Sequence, residues 1–249
     1  MIRSYFGLSE DPFTLRDIRL LSHQQEIHDT LRVHSQQGGL CLVVGRPGTG
    51  KSVIKESLRL LPDKDYLVAT VARTLHTYTN TVKILCEAFK IEFESSAFKC
   101  ERKLIQQAFA LNRSGKMLVT VIDDAHLMEM ENLRRLRLLL EDFPKNHNLI
   151  LVGQVELMAS LDLAVNQDIK SRVTYSVITK RLNDDAMREF IEGQLDRIGL
   201  AHNTWVASCG LRGRARLYRI SGVTITATCD NNSAQNRREV RPKRGRYRA

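Results

Sequence analysis

The sequence of 249 residues has no apolar run long enough to cross a membrane. Its longest uninterrupted apolar stretches, such as LCLVV at residues 40–44, are far shorter than the ~18 residues that suggest a membrane-spanning helix. No signal peptide is recognisable at its start. A cytoplasmic protein is therefore expected, and the length suits one α/β domain with a small appendage.

Metal-ligand spacing of cysteine and histidine is also missing. The five cysteines are scattered along the chain without a CxxC pair. Such scattering is typical of reduced thiols in a cytosolic protein rather than of a disulfide framework. We therefore expect no structural metal site.

Basic charge is unevenly distributed along the chain. The net charge is +10, but residues 203–249 hold eleven Lys and Arg against two Asp and Glu. The first 202 residues hold the remaining 27 basic and 26 acidic residues, which leaves them close to neutral. The charge of the body therefore gives no argument for nucleic-acid binding.

The body alternates short apolar runs with longer amphipathic segments, a pattern that predicts βαβ units and a parallel sheet. The predicted strands cover residues 40–44, 66–72, 117–122, 149–152 and 175–178. Apolar residues at helical spacing predict helices over residues 50–61, 79–89, 101–112 and 127–143. A further helix is predicted over 184–198, with Asn183 as its N-cap.

The segment GRPGTGKS matches the pattern GxxxxGK[ST] of a phosphate-binding loop, the Walker A motif. The glycines permit a backbone whose N–H groups converge on phosphate oxygens, and the following helix directs its positive end at the same anion. In this motif the lysine reaches the β and γ phosphates of ATP and the serine hydroxyl binds Mg²⁺. The candidate cofactor-binding residues are Gly45, Arg46, Pro47, Gly48, Thr49, Gly50, Lys51 and Ser52.

The segment MLVTVIDDAH places two acids at the end of an apolar strand, as in a Walker B motif. Asp123 is the expected Mg²⁺ ligand beside Ser52, and Asp124 is the candidate that polarises the attacking water. The alternative is an ordinary strand end at a turn. His126 is expected to be a packing or hydrogen-bonding residue rather than a base.

Two more side chains are candidates for catalysis. Gln154 follows the strand LILVG and could sense the γ-phosphate or orient water, or could equally serve as a helix cap. Arg172 precedes the fifth strand and is our candidate arginine finger, acting on the nucleotide of a neighbouring subunit. A solvated arginine or a salt bridge is the alternative. A second group, Arg134, Arg135 and Arg137, is expected to form a solvated or oligomer-facing strip.

Taken together, these motifs resemble the ExeA (general secretion pathway protein A) type of AAA+ ATPase. The resemblance rests on YFGL at residues 5–8, the pair Pro12 and Phe13, LRLLLED at 136–142, LVGQVEL at 151–157 and the arginine before the last core strand. It covers about residues 1–200. It implies an α/β P-loop NTPase fold of the ASCE class, with a five-stranded parallel sheet of order 5-1-4-3-2 flanked by helices.

Departures from that family pattern limit the resemblance. The family usually has Asp-Glu where this chain has Asp123 and Asp124, and the shorter acid is expected to slow hydrolysis. The membrane span and peptidoglycan-binding region of the secretion proteins are not found here. This favours a resemblance to TniB, IstB, TnsC and MuB, the ATPases that help transposases choose target DNA.

The tail is the third departure. Residues 1–202 are expected to form the ATPase domain, whereas residues 203–249 do not read as the small helical lid that family members carry. The lid is therefore expected to be truncated or replaced. The tail is either a frameshifted or recombined terminus, partly disordered, or a basic arm that grips phosphates.

Three functions are consistent with these observations. The first is an ATPase that assembles into a ring or filament, with DNA as a candidate ligand, and controls a partner such as a transposase. The second is a secretion-type ATPase that couples ATP hydrolysis to an envelope complex. The third is a switch that binds Mg·ATP with little hydrolysis.

Overall fold

The computed structural model describes residues 18, 20–62, 64–72, 77–94 and 96–197, and four short stretches at 204–207, 216–220, 223–227 and 239–241. The chain divides into two compact units, residues 18–181 and residues 1–17 with 182–249. The YFGL segment and the Pro12-Phe13 pair lie outside the described residues, as does most of the basic tail.

The larger unit is built on a five-stranded parallel sheet. Its order is β2-β3-β4-β1-β5, which confirms the 5-1-4-3-2 order that the resemblance implied. The strands are β1 Gly39–Gly45, β2 Tyr66–Val71, β3 Met117–Ile122, β4 Asn148–Gly153 and β5 Val173–Thr179. Since parallel strands all end at one edge, the sequence motifs that follow β1, β3 and β4 meet there.

Helices cover both faces of this sheet. They are α1 Ser22–Gln37, α2 Lys51–Arg59, α3 Tyr78–Ala88, α4 Ala97–Arg113, α5 Met130–Glu141, α6 Glu156–Asp162 and α7 Gln167–Lys170. Short 3-10 turns occupy Ala125–Leu127 and Ala164–Asn166. The predicted single helix over 127–143 is wrong at its start, because Met128 is buried in extended backbone between the 3-10 turn and α5.

The core forms two layers because alternate residues of each strand face opposite sides. On β1, Cys41 and Val43 pack on the side of α1 and α2 with Leu31 and Ile54. The other side of the sheet packs against α3, α4, α5 and α6. All residues of β1 after Gly39 are buried, as expected for a central strand with both faces covered.

The edge strand β5 differs from this pattern. Its burial alternates along the strand, with Thr174, Ser176 and Ile178 exposed. One face of β5 is therefore open in the larger unit, and only its last residue, Thr179, is buried.

In the smaller unit, helix α8 covers Asp184–Arg197. The Asn183 side chain accepts a 2.8 Å hydrogen bond from the Ala186 N–H, which confirms the predicted N-cap. After residue 203 the described residues form a four-stranded antiparallel sheet of order β6-β7-β8-β9. Its strands are β6 Thr204–Ala207, β7 Arg216–Ile220, β8 Val223–Ala227 and β9 Glu239–Arg241.

Membrane-spanning length is not reached by any helix among the described residues. The described cysteines, Cys41, Cys86 and Cys100, are buried free thiols. Cys209 and Cys229 lie outside the described part of the chain.

Buried His147 makes the stability of the larger unit sensitive to acid. Its Nε2 lies 2.9 Å from the Thr120 hydroxyl, its ring packs edge-on against Phe143, and burial lowers its pKa from 6.5 to about 3. Between about pH 6.5 and pH 3, the His147 ring is therefore protonated in the unfolded chain but neutral in the folded chain. Stability is kept above pH 6.5 and lost as the pH falls toward 3.

We therefore expect His147 alone to lower the free energy of unfolding by about 2 kcal/mol between pH 7 and pH 5. Between these two pH values, urea unfolding of His147→Gln should show a decrease in the free energy of unfolding that is smaller than that of wild type by this amount. Above pH 7, where histidine is neutral in both states, the two proteins should keep the same pH slope. An equal loss for the variant and the wild type between pH 7 and 5 would contradict the assignment.

Candidate functional site

The loop between β1 and α2 lies at the carboxyl edge of the sheet and carries the phosphate-binding motif. Gly48 and Gly50 adopt φ values of +78° and +87°, a left-handed region that side chains other than glycine seldom enter. Beside Gly48 no atom lies within 4 Å of where a Cβ would stand. Arg46, Pro47 and Gly48 are exposed, as is Ser52 at the start of α2. The loop therefore presents its backbone to solvent next to a helix N-terminus.

Packing against Thr179 at the end of β5 fixes the base of this loop. A Cβ on Gly45 would collide with the Thr179 hydroxyl and stand 2.8 Å from that of Thr49. The two hydroxyls lie 2.6 Å apart, and Thr49 also donates to the Arg46 carbonyl at 2.8 Å. Gly45 is therefore required by close packing, since its φ lies in the ordinary range.

The Lys51 side chain folds back along the loop. Its amine donates to the carbonyls of Gly45 at 2.8 Å and Arg46 at 2.9 Å. Burial lowers the pKa of this amine, while the charges of Asp124, Asp123 and Glu156 act in the opposite direction. The Lys51 amine can attract an anion, and the neighbouring carboxylates can attract a metal cation bound to that anion.

Asp123, directly after β3, is held at both carboxylate oxygens. Its Oδ1 accepts the Asp124 N–H at 3.0 Å, and its Oδ2 accepts the Lys55 amine at 2.6 Å. Lys55 stands one helical turn after Lys51 on α2. Sequence analysis missed Lys55, because nothing in the motif indicates a second amine that reaches this acid.

The neighbouring acid, Asp124, is exposed and adopts φ +49°. Asp is among the few residues other than glycine that enter this region with any frequency. Backbone strain of this kind clusters at functional sites, where surrounding structure holds it in place. At Asp124 the chain turns away from the direction of β3 and enters the 3-10 turn Ala125–Leu127.

A contact between Gln154 and His126 connects the ends of β4 and β3. The Gln154 amide nitrogen lies 3.0 Å from His126 Nε2, and His126 Nδ1 is buried without a hydrogen-bond partner. The expectation that His126 is a hydrogen-bonding residue agrees with this contact. Gln154 therefore points toward the turn that carries Asp124 rather than capping a helix with its side chain.

Arg172 lies at the opposite edge of the sheet from the phosphate-binding loop. It precedes β5, while Thr179 ends that strand beside Gly45. Seven residues of strand separate the two positions by about 20 Å. Arg172 is exposed, and its Nε lies 3.6 Å from Glu141. The structure therefore does not bring Arg172 to the site within one chain.

The three arginines of α5, expected to form a solvated or oligomer-facing strip, make contacts within the chain, and Arg135 is exposed to solvent. Arg134 bonds Asp168 and Glu131, each at 2.9 Å, and Arg137 bonds Glu141. Arg135 lies over the Tyr78 ring, 4.0 Å from its centre. The contacts with Asp168 and Tyr78 connect α5 to α7 and α3, whereas the pairs with Glu131 and Glu141 lie within α5.

Comparison with known proteins places these features in a family. The model of the AAA domain matches residues 33–161, which is half of the chain. General secretion pathway protein A of Aeromonas hydrophila is 28% identical over 232 residues, with 89% of this chain and 42% of that protein covered. The expected resemblance to that protein is confirmed, although the chain spans less than half of its length.

Solved structures show the same fold. The ORC2 protein of Aeropyrum pernix, solved in ADPNP and ADP complexes, superposes with a TM-score of 0.61 at 14% identity, over 76% of this chain and 56% of that one. Cdc6p from Pyrobaculum aerophilum superposes with a TM-score of 0.58 at 16% identity, over 76% and 54% of the two chains. At these identities the likeness establishes the fold alone.

The packing of Gly45 against Thr179 predicts a rescue experiment. Gly45→Ala should lower the free energy of unfolding by about 1–3 kcal/mol, because the new methyl group collides with the Thr179 hydroxyl. Adding Thr179→Ala should recover part of this loss. Urea unfolding of the two single variants and the double variant measures the coupling.

A control is Gly115→Ala, where φ is positive, unlike that of Gly45, and no atom lies within 4 Å of the new Cβ. Its strain is local, so Thr179→Ala should not rescue it. Strictly additive losses for Gly45→Ala and Thr179→Ala would contradict the packing argument.

Proposed function

The chain belongs to the AAA domain family, and we propose that it binds ATP with Mg²⁺ and hydrolyses the nucleotide. The observation that carries the proposal is the loop of residues 45–52. It combines left-handed glycines, an exposed backbone and the Lys51 amine at the edge where Asp123 also lies. Such a loop fits a polyphosphate, because converging N–H groups and a helix N-terminus attract its oxygens.

Nucleotide binding follows from groups that are already close together. Lys51 exchanges the carbonyls of Gly45 and Arg46 for phosphate oxygens, which its charge favours over neutral acceptors. The Ser52 hydroxyl and the Asp123 carboxylate are the oxygen ligands that would hold Mg²⁺. When bound, Mg²⁺ neutralises charge on the β and γ phosphates.

Water activation is assigned to Asp124, with Gln154 as an orienting group. Asp124 is exposed at the sheet edge, and its charge acts on the Lys51 amine. Gln154 contacts His126 in the same turn, which limits the directions available to its amide. A carboxylate that accepts a proton from water and an amide that orients the water are a standard pair for this step.

The assignment of Asp124 predicts opposite effects of two substitutions. Asp124→Asn should lower kcat for phosphate release roughly 100-fold, because the amide cannot accept the proton. Asp124→Glu should raise kcat roughly tenfold by moving the carboxylate one methylene closer to the water. The thermal stability of Asp124→Glu should be slightly lower than that of wild type, since Glu is less favoured than Asp at positive φ.

Affinity for Mg·ATP serves as the control, because neither substitution removes a group assigned to binding. It should stay within a factor of about three for both variants. Tight binding without phosphate release, unchanged by Asp124→Asn, would replace hydrolysis with the function of an ATP-binding switch. Equal and measurable release by wild type and Asp124→Asn would contradict the role of Asp124.

We assign Arg172 as an arginine finger that acts across a subunit interface. Its position about 20 Å from the loop along β5 excludes contact with its own nucleotide. Its exposure and its long 3.6 Å contact to Glu141 leave the side chain easy to recruit. This role requires a homo-oligomer in which one subunit's β5 start faces the next subunit's loop.

A mixing experiment tests this assignment. Arg172→Ala and Asp124→Asn should each release phosphate far more slowly than wild type when alone, whereas their mixture should recover activity at interfaces that combine an intact Arg172 with an intact Asp124. Steady-state phosphate release at increasing ratios of the two variants measures the recovery. Loss of activity in Arg172→Ala that no mixing ratio restores would contradict a role between subunits.

Two partners are consistent with the resemblances of this chain, an envelope complex and a transposase on DNA. Similarity to general secretion pathway protein A over 89% of the chain supports an ATPase that drives an envelope complex. The resemblance to transposition ATPases supports instead a DNA-bound helper of a transposase. Double-stranded DNA should raise phosphate release several-fold in the second case only. Unchanged release over a range of DNA and salt concentrations would leave the secretion-type role.

A further inference from the structure

The Walker motifs do not explain the position of Lys55 at the site. Its amine lies 2.6 Å from Asp123 Oδ2, and the two side chains keep only 15% and 17% of their surface exposed. A pair with so little exposure is poorly screened by salt, so its charges interact more strongly than those of a surface pair.

The helix α2 places two amines in one column. Lys51 and Lys55 are four residues apart, so both lie on one face of α2 and follow each other along its axis. Lys51 reaches the loop carbonyls, while Lys55 reaches the acid after β3. One amine is therefore directed at the phosphate position and the other at the metal-binding carboxylate.

We propose that Lys55 is a built-in counter-cation of Asp123 that competes with Mg²⁺ and lets the site bind ATP with little dependence on the metal. The inference rests on the proposed binding of ATP at this loop. Both Asp123 oxygens already accept a hydrogen bond, Oδ1 from the Asp124 N–H and Oδ2 from Lys55, so the metal or its water ligands would share an oxygen with one of these donors.

Electrostatics gives the two ligands opposite responses to Lys55. A positive charge near the metal position repels Mg²⁺, whereas the same charge attracts the phosphates of metal-free ATP. Mg²⁺ also gives up its octahedral shell of waters reluctantly. An amine already bonded to Asp123 therefore raises the Mg²⁺ concentration that is needed to fill the metal position.

Lys55→Met tests the proposal, since methionine keeps the length of the side chain and removes its charge. In EDTA, the Kd for ATP should rise roughly tenfold relative to wild type. At fixed subsaturating ATP, the Mg²⁺ concentration for half-maximal binding should fall roughly tenfold. Calorimetry or a fluorescent ATP analogue provides both curves without relying on turnover.

Two further variants serve as controls. Lys55→Arg keeps the charge and should retain the wild-type metal dependence more closely than Lys55→Met. Lys64→Met removes a charge from an exposed position and should change neither curve. If Lys64→Met and Lys55→Met shift the two binding curves equally, the effect comes from net charge alone and the proposal is overturned.

Thermal unfolding without nucleotide tests the ion pair separately from ATP binding. Lys55→Met should lower the Tm, and Asp123→Asn should lower it less in the Lys55→Met background than in wild type. If wild type binds no ATP, the proposed function fails whatever this cycle shows. If wild type binds ATP and Lys55→Met leaves the metal dependence unchanged, this inference alone fails.

Discussion

Close contact between the end of β1 and the end of β5 holds the site together. Gly45 has no side chain, so the Thr179 hydroxyl occupies the space a Cβ would need and bonds Thr49 inside the loop. The loop can therefore turn sharply at a fixed place on a buried strand. The backbone beyond it, with Gly48 and Gly50 at positive φ, stays exposed for a phosphate chain, and the remaining chemistry depends on this frame.

Around this frame, charge is balanced between amines and carboxylates of the same chain. Lys51 lies among acids that oppose the effect of burial on its pKa, while Lys55 binds one of those acids directly. Mg·ATP carries both a cation and an anion, so it can replace both sets of contacts at once. We therefore propose that nucleotide binding exchanges internal ion pairs for external ones, with little rearrangement of the backbone.

Local sequence patterns predicted the five strands of the larger unit and the phosphate-binding loop, because apolar runs and glycine spacing carry that information directly. They did not predict strands β6–β9. The sheet order came from the family resemblance. Local patterns did not predict the break at Met128 or the pairing of the α5 arginines, which depend on tertiary contacts. Lys55 and Asp123 are 68 residues apart, and Thr49 and Thr179 are 130 residues apart. Contacts of that kind are set by the fold, so spacing along the chain cannot reveal them.

The central claim is that a triphosphate lies on the loop of residues 45–52 with Lys51 on its phosphates. Isothermal titration of the full chain with Mg·ATP tests it most directly. We predict a saturable heat for wild type that Lys51→Ala abolishes, while Lys64→Ala, which removes an exposed lysine elsewhere, keeps it. Absence of heat in wild type, or an unchanged titration in Lys51→Ala, would contradict the account.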